Sequence, residues 1–271
     1  MRILTYNIHG WRSPDPAGSF NLDALVEVIG DAQADLVGLN EVYHPFPASG
    51  GAALALLAGR LGMTFAFGPT LVAARSPTGI PYGNAVLSRW PIVAHAAHHL
   101  AAGPKGATSE PRGLLEARLR RPDGRPFTFY VTHLDHRAEA IRLAQWRAAS
   151  AWLGRDRERP HVVVGDFNAL AACDFPTADA VAELQAWRAT QGWPAAVFDL
   201  VSLVEKTGYR DVCAAIGGGA RATFPATAPR MRLDYIFAPD GAAGDILHCR
   251  RWEHPRTPAA SDHLPVFAEL I

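Results

Sequence analysis

The side chains best suited to chemistry stand at the ends of strand-like apolar runs spread over the whole sequence. They are Asn7, Glu41, His133, Asp166, Asn168, Asp234, Asp262 and His263. Loops at one edge of a sheet can gather side chains that are distant in sequence into a single pocket. Carboxylates, amides and imidazoles in one pocket suit a hard divalent cation and a phosphate ester. The pattern therefore predicts metal-assisted chemistry on a phosphate ester.

Asp166 and Asn168 follow the apolar run HVVVG. Alternation along an extended segment would point both side chains to the same side. The carboxylate of Asp166 could then take a proton from water or orient it, while the amide of Asn168 donates to a phosphoryl oxygen. The alternative is that Asp-Phe-Asn is a turn that caps the strand.

Glu41 ends the run LVGLNE and is the leading candidate for contact with a metal. An ionised carboxylate does not stay buried without a partner, and Mg²⁺ or Mn²⁺ is a natural partner. Because Mg²⁺ keeps several waters, one firm ligand with Asn7 and Asp262 close by would suffice. We expect His9 near the water shell of that metal. The alternatives are a salt bridge at the sheet rim for Glu41 and a turn hydrogen bond for Asn7.

Asp234 and His263 predict a second unit. A carboxylate that accepts from one imidazole nitrogen fixes the tautomer and favours the charged ring. The charged ring could stabilise a pentavalent phosphoryl transition state. We expect His133, in VTHLDH, to approach the phosphate from another strand, with Asp135 or His136 as secondary candidates.

The sequence that carries these side chains has more strand-like runs than helical segments. Strand-like runs cover residues 2–8, 35–41, 63–68, 82–88, 92–98, 113–119, 126–133, 161–166, 232–238, 245–251 and 264–270. Helical periodicity fits residues 21–33, 50–61, 138–154, 178–190 and 197–206. Many strands adjoin other strands, which favours two mixed, mostly antiparallel sheets packed face to face, with helices outside. Asp123-Gly124 predicts a hairpin turn, and residues 100–112 and 214–231 predict long mobile loops.

Composition and charge narrow the class of protein. The 271 residues include 49% hydrophobic and 19% charged residues, which is typical of a globular protein. Lysine plus arginine equals aspartate plus glutamate at 26 each, so the basic excess typical of a nucleic-acid binder is lacking. The arginines between residues 137 and 159 are assigned to a solvated helix face. Nucleic acid is therefore a possible partner that the charge does not favour.

Cysteine usage and the N-terminus bear on the compartment. Cys173, Cys213 and Cys249 are far apart and odd in number, without a paired spacing that indicates zinc or a disulfide framework. The N-terminus lacks the features of a signal peptide, and no run reaches the length of a membrane span. We therefore expect a cytoplasmic protein without a membrane span, and no obligate protein partner is implied.

Seven segments together resemble the endonuclease/exonuclease/phosphatase superfamily of metal-dependent phosphohydrolases. They are TYNIHG, LNEV, YGNAVLSRWPI, VTHLDHR, VVVGDFNA, RLDYIF and SDHLPV, in the family's order. The resemblance covers almost the whole chain and implies one domain over residues 1–271. It also implies an α/β fold of the α+β type: a four-layered α/β/β/α sandwich, with the site at one edge of two sheets.

The resemblance also implies a role for each site residue. Glu41 would be the main metal ligand with Asn7 and Asp262 nearby, and Asp166 and Asn168 would position water and phosphate. Asp234 would orient His263. His133 would contact the phosphoryl group, as would Asn7, Asn84 and Arg112, with loop anchoring as the alternative for Asn84 and Arg112. The general base stays open between Asp166 and the Asp234–His263 pair.

The function that the sequence favours is hydrolysis of a phosphodiester or phosphomonoester by in-line attack of an activated water, dependent on Mg²⁺ or Mn²⁺. The first alternative is an endonuclease or exonuclease on DNA or RNA, aided by aromatic insertion from Trp11, Trp90, Trp187 or Trp193. The second is a binding module that keeps the fold without the chemistry. A complete set of competent polar residues at strand ends disfavours that module, because each uncompensated polar group costs stability.

Overall fold

The apolar runs of the sequence form the strands of two six-stranded sheets. The computed structural model describes residues 1–100, 110–217, 221–241 and 246–271. Its strands are β1 (Arg2–Asn7), β2 (Leu36–Tyr43), β3 (Pro47–Ala48), β4 (Gly51–Ala52), β5 (Thr64–Leu71), β6 (Tyr82–Ser88), β7 (Ile92–His99), β8 (Gly113–Arg120), β9 (Pro126–His133), β10 (His161–Asp166), β11 (Tyr209–Asp211), β12 (Asp234–Pro239), β13 (Ile246–Arg251) and β14 (Val266–Leu270). Every predicted strand is confirmed. The additional strands β3, β4 and β11 are too short for an apolar pattern to reveal.

The helices are α1 (Leu22–Asp31), α2 (Ala53–Leu61), α3 (Glu139–Leu153), α4 (Ala178–Thr190), α5 (Asp199–Lys206), α6 (Val212–Ile216) and α7 (Thr257–Ala260). The predicted helices are confirmed, whereas the short α6 and α7 are additional. The second helix begins later than predicted because β4, just before it, pairs with β3. Within the described ranges, no helix is long and apolar enough to cross a bilayer.

Both sheets are mixed. Their strand orders are β13-β14-β1-β2-β6-β5 and β11-β12-β10-β9-β8-β7. Neighbouring strands run antiparallel except for β1–β2 and β9–β10, which are parallel. The predicted turn at Asp123-Gly124 joins β8 to β9, with Gly124 at a φ of 80°. Each sheet has one parallel pair near its middle. The carboxyl ends of these four strands, β1, β2, β9 and β10, point in a common direction.

Alternating residues of the central strands face different layers. Ile3 and Val164 belong to the apolar core between the two sheets. Leu4 packs with α1 and α2 on the outer face of the first sheet, and Val163 packs with α3 and α5 outside the second. The order helix, sheet, sheet, helix confirms the predicted sandwich. A single domain over residues 1–271 stays a prediction.

The cysteine expectation is wrong, because Cys213 and Cys249 form a disulfide with their Cα atoms 4.9 Å apart. The two residues are 36 positions apart in sequence, and the packing of α6 against β13 brings them together. Cys173 is free and exposed. Disulfides are typical of oxidising environments and rare in the cytosol, so the cysteines no longer support the expected cytoplasmic location.

The two predicted loops are borne out only in part. Residues 214–231 include the end of α6 and an antiparallel β-bridge, and residues 218–220 lie outside the described residues. In the other predicted loop, residues 100–112, the stretch 101–109 also lies outside the described residues. Residues 110–112 lead into β8 at the edge of the sandwich where the strand ends gather.

Gly38 permits the close approach of the two sheets. A Cβ atom at this position would lie 2.5 Å from Val164 Cγ2 and 3.0 Å from Val131 Cγ2. Both valines are fully buried in central strands of the opposite sheet, and β-branched side chains have little rotameric freedom to move away. The glycine in LVGL is therefore required by packing between the sheets.

We expect Gly38→Val to lower the free energy of unfolding by about 1–3 kcal/mol, the usual cost of overpacking a core. Thermal and urea denaturation would measure it. The control is Gly59→Ala in α2, where a Cβ would meet no atom of the described residues within 4 Å and alanine favours the helix. Equal stability of Gly38→Val and the native protein would contradict the packing role.

Candidate active site

The carboxyl ends of β1, β2, β9 and β10 meet at one edge of the sandwich. Asn7, His133 and Asp166 are the last residues of β1, β9 and β10, and Glu41 lies near the end of β2. Within the second sheet, Asp166 pairs with His133 on one side and with Asp234 on the other. A cavity of about 800 Å³ opens at this edge. The two parallel strand pairs thus place the predicted side chains together.

A β-bulge in β2 sets the directions of Asn40 and Glu41. The pairing of β2 with β6 changes register between Leu39 and Val42, and Glu41 has a φ of 60°. Bulges re-aim side chains beside active sites, and left-handed backbone is uncommon for residues other than glycine. Asn40 is buried, whereas Glu41 lines the cavity.

Asn7 joins two carboxylates from different sheets. Its Nδ2 donates to Glu41 Oε1 and to Asp166 Oδ2, at 3.1 Å in both cases. Its Oδ1 accepts from the backbone N–H of His9, also at 3.1 Å. The amide of Asn7 therefore holds β1 of the first sheet against β10 of the second.

Asn40 is a site residue that the sequence analysis missed. Its Oδ1 accepts from the backbone N–H of Asp166 at 2.9 Å, and its Nδ2 donates to Asn84 Oδ1 and to the carbonyl of Thr132, both at 2.9 Å. The available signal was an amide inside the apolar run LVGLNEV. Asn40 therefore fixes the backbone on which Asp166 stands.

Asn84 does not line the cavity, contrary to its expected contact with phosphate. Its Nδ2 donates to the carbonyls of Gly113 and Val131, at 3.1 and 3.4 Å, and its Oδ1 accepts from Asn40. Every polar atom of this buried amide is engaged inside the protein. Asn84 supports Asn40 rather than reaching the open space.

Asp234 and His263 form the expected pair. His263 Nδ1 lies 2.8 Å from Asp234 Oδ2, and its Nε2 lies 3.8 Å from Asp166 Oδ2. Burial alone would lower the pKa of His263, but Asp234, Asp166 and Asp262 outweigh burial and raise it. His263 is therefore held as a cation that faces the site carboxylate.

The carboxyl group of Asp166 is buried at the centre of these contacts. Burial raises its pKa, the charge of His263 partly offsets that rise, and the charge of Asp234 adds to it. Its Oδ1 accepts from the backbone N–H of Asn168 at 2.8 Å. Asn168 has a φ of 49°, so the backbone is not extended here, contrary to the alternation expected from the sequence. Both side chains nevertheless line the cavity, with the left-handed residue turning the chain back toward it.

Arg112 fixes the tautomer of His133. Its guanidinium lies 2.8 Å from His133 Nδ1, and a guanidinium can only donate, so Nδ1 accepts. Burial lowers the pKa of His133 well below its usual value, and Arg112 lowers it further. The neutral ring therefore carries its proton on Nε2, which lies 3.5 Å from Asp166 Oδ2. Arg112 is itself buried but still lines the cavity.

The remaining candidates divide between the cavity and the scaffold. His9 and His136 line the cavity. Asp262 lies beside it, with Oδ2 4.0 Å from His9 Nε2. Asp135 is buried and accepts from the backbone at the start of α3, so it serves the helix rather than the site.

The donor set fits a hard divalent cation. Among the described residues, neither Glu41 nor Asp166 forms an ion pair with lysine or arginine, although Asn7 holds the two carboxylates together. Two neighbouring carboxylates without such a counter-ion favour a metal. Ligand atoms of Asp166, Asp234 and His263 lie within 4.8 Å of one another, but the charged ring of His263, which is hydrogen-bonded to Asp234, offers no lone pair to a metal, so the carboxylates are the donors. Asp234 Oδ1 is buried without a hydrogen-bond partner in the described part of the chain.

The fold and the site agree with a sequence match. Residues 4–263 match the model of the endonuclease/exonuclease/phosphatase family, so the chain belongs to that family. Members of this family are typically hydrolases that act on phosphoester bonds.

Individual relatives match along nearly the whole chain. The protein YbhP of Escherichia coli strain K12 is 30% identical over 284 residues, which cover 100% of this chain and 96% of YbhP. The crystal structure of an endonuclease/exonuclease/phosphatase from Beutenbergia cavernae has a TM-score of 0.72 at 24% identity, covering 98% of this chain and 70% of that one. Mannosyl-6-phosphatase Bt3783 of Bacteroides thetaiotaomicron has a TM-score of 0.66 at 19% identity, covering 100% and 99%. The two structures support the fold.

We expect Asn40→Leu to lower the free energy of unfolding by about 1–3 kcal/mol, because it leaves the buried N–H of Asp166 without an acceptor. Chemical denaturation would measure the change. Gln191→Leu is the control, since it replaces an exposed side-chain amide whose one hydrogen bond within the described ranges is to Thr190. If both variants unfold at the same denaturant concentration as the native protein, Asn40 does not support Asp166.

Proposed function

We propose that the protein is a divalent-metal-dependent phosphoesterase that hydrolyses a phosphomonoester or phosphodiester by in-line attack of water. The observation that carries the proposal is the arrangement around Asp166. Its carboxyl group contacts Asn7 and lies close to His133 and the cationic His263. A buried carboxyl group with a raised pKa between hydrogen-bond donors suits proton transfer from water and the binding of a developing anion.

Each side chain has a part in the proposed reaction. Asp166 takes the proton of the attacking water, since its raised pKa makes it a better base than an exposed carboxylate. His263, charged and oriented by Asp234, stabilises negative charge on the phosphoryl oxygens. His133 donates from Nε2 toward the same space. The Nδ2 of Asn168, which donates to the carbonyl of Leu134, lies 3.1 Å from that nitrogen.

Glu41 would hold the metal, with Asn7 and Asp262 nearby. Bound Mg²⁺ or Mn²⁺ supplies positive charge that offsets charge on the phosphoryl and leaving oxygens. Asn7, which donates to both carboxylates, keeps Glu41 and Asp166 at a fixed separation. Arg112 acts through His133 and fixes the ring so that its proton faces the cavity.

The alternatives have less support. A nuclease would need a basic surface, and the formal net charge is zero. Trp11 and Trp90 are buried and cannot insert between bases, whereas Trp193 is 37% exposed and stays available to stack on a base. For a binding module, burying Asp166, Asp234 and His263 together would cost stability without a benefit from catalysis. The name mannosyl-6-phosphatase of a relative with the same fold favours a small phosphomonoester.

We expect the native protein to cleave p-nitrophenyl phosphate or bis-p-nitrophenyl phosphate in Mg²⁺ or Mn²⁺ and to lose activity in EDTA. Asp166→Ala should reduce kcat by about a hundredfold or more, because it removes the proposed base. The control is Asp31→Ala, which removes an exposed carboxylate at the end of α1. Plasmid DNA serves as a third substrate. Preferred cleavage of DNA, with activity falling steeply as salt rises, would instead favour the nuclease.

We expect Asp234→Asn to reduce kcat by about tenfold to a hundredfold, because the neutral amide no longer stabilises the charged His263. Asp156→Asn is the matched control. Asp156 is equally buried but accepts from Thr128 and Tyr130 outside the cavity. An equal loss of kcat in the two variants would mean that Asp234 acts only through stability.

A further inference from the structure

A second cavity of about 730 Å³ adjoins the site cavity. Three residues line both cavities, and they are His136, Asn168 and His263. The far wall comes from the chain between α4 and α5 and from the segment before β12. A group attached to a phosphate at Asp166 could therefore extend past His263 into the second cavity.

The wall of this second cavity is largely apolar and aromatic. It includes Leu170, Trp193, Val197, Phe224, Met231 and Leu233. The ring of Phe224 lies 4.9 Å from that of His263, and the ring of Trp193 lies 6.1 Å from that of Phe224, centroid to centroid. Trp193 is 37% exposed and Val197 is 42% exposed. Apolar walls around a few polar groups are typical of sites for organic ligands.

The charges at the wall disfavour a cationic organic group. The wall contains three arginines, Arg137, Arg142 and Arg188, and the single carboxylate of Glu139. Arg142, assigned from sequence to a solvated helix face, is instead buried and lies 2.7 Å from that carboxylate. Aromatic rings can also bind quaternary ammonium groups, but the surplus of arginine would repel such a group.

Arg188 is one of two wall arginines without an ion pair among the described residues, the other being Arg137, because Arg142 pairs with Glu139. Arg188 donates to the carbonyl of Pro194 at 2.9 Å, and its guanidinium lies 5.7 Å from the ring centroid of Trp193. Among the described residues, no carboxylate forms an ion pair with Arg188. Burial lowers its pKa, and the charge of Arg142 lowers it further. A neutral or anionic ring stacked on Trp193 would suit this surface.

We propose that the second cavity binds the organic group of the phosphoester, and that this group is a neutral or anionic planar aromatic ring. The proposal rests on the proposed function, because it takes the phosphate to lie at Asp166. Trp193 and Phe224 would stack against the ring, and Arg188 would face its edge. A flat apolar ring gains most from such a wall because it buries area with little loss of rotational freedom.

The test is calorimetric binding of non-hydrolysable phosphonates to the full chain in Mg²⁺. The probes are phenylphosphonate, methylphosphonate and 2-aminoethylphosphonate, which share the anion and differ in the organic group. We expect phenylphosphonate to bind about tenfold or more tightly than methylphosphonate, from the apolar area of one ring. The probe 2-aminoethylphosphonate, whose organic group carries an ammonium charge, should bind no better than methylphosphonate.

The variants are Trp193→Ala and Val197→Asp, which should both remove the preference for the phenyl group while leaving the affinity for methylphosphonate unchanged. Trp152→Ala is the matched control, since Trp152 is also 37% exposed and also lies under an arginine, Arg155, but outside both cavities. Trp152→Ala should keep the native preference. Thermal denaturation of each variant separates loss of the cavity from loss of the fold.

Equal affinity for the phenyl and methyl probes, or no binding of phenylphosphonate at millimolar concentration, would overturn the proposal. So would a preference for the ammonium-bearing probe, or a phenyl preference that survives both variants. Failure of the proposed function has a different signature, since it is measured by turnover of p-nitrophenyl phosphate. Turnover without a phenyl preference would contradict only the proposed role of the second cavity. A phenyl preference without turnover would contradict only the proposed hydrolysis.

Discussion

The site depends on hydrogen bonds that cross from one sheet to the other. Asn7 and Asn40 belong to the first sheet, and both bind Asp166 of the second, one through its carboxylate and the other through its backbone N–H. These bonds are buried, so water does not compete for them, and losing either partner would leave an unsatisfied polar group. The position of the central carboxyl group is therefore fixed by the contact between the sheets.

Close packing of the sheets makes those bonds possible. Gly38 lies against Val131 and Val164, and the lack of a side chain lets the central strands approach. The same strands carry the parallel pairs whose carboxyl ends meet at the cavity. Core packing and site geometry are thus consequences of one arrangement, in which apolar residues fill the space between the sheets and polar residues begin where that core ends.

The electrostatics of the site follow from the same burial. Asp166, Asp234 and His263 are nearly inaccessible to water, so their charges interact strongly. Asp234 favours the protonated form of His263, while Arg112 and burial keep His133 neutral. Two imidazoles at the same edge of the sandwich are therefore held in different protonation states by different neighbours. That difference divides the proposed roles of charge stabilisation and neutral donation between them.

The sequence alone determined the order of strands and helices and the polar residues that end the strands, because period and composition are local properties. It also supported the family through seven ordered segments, three of which contain Asp166, Asp234 and His263. Tertiary structure decided that Asn84 lies beneath the cavity, that Cys213 meets Cys249, and that Asn40 supports Asp166. These facts depend on a bulge and on packing between segments distant in sequence, and no local pattern encodes either.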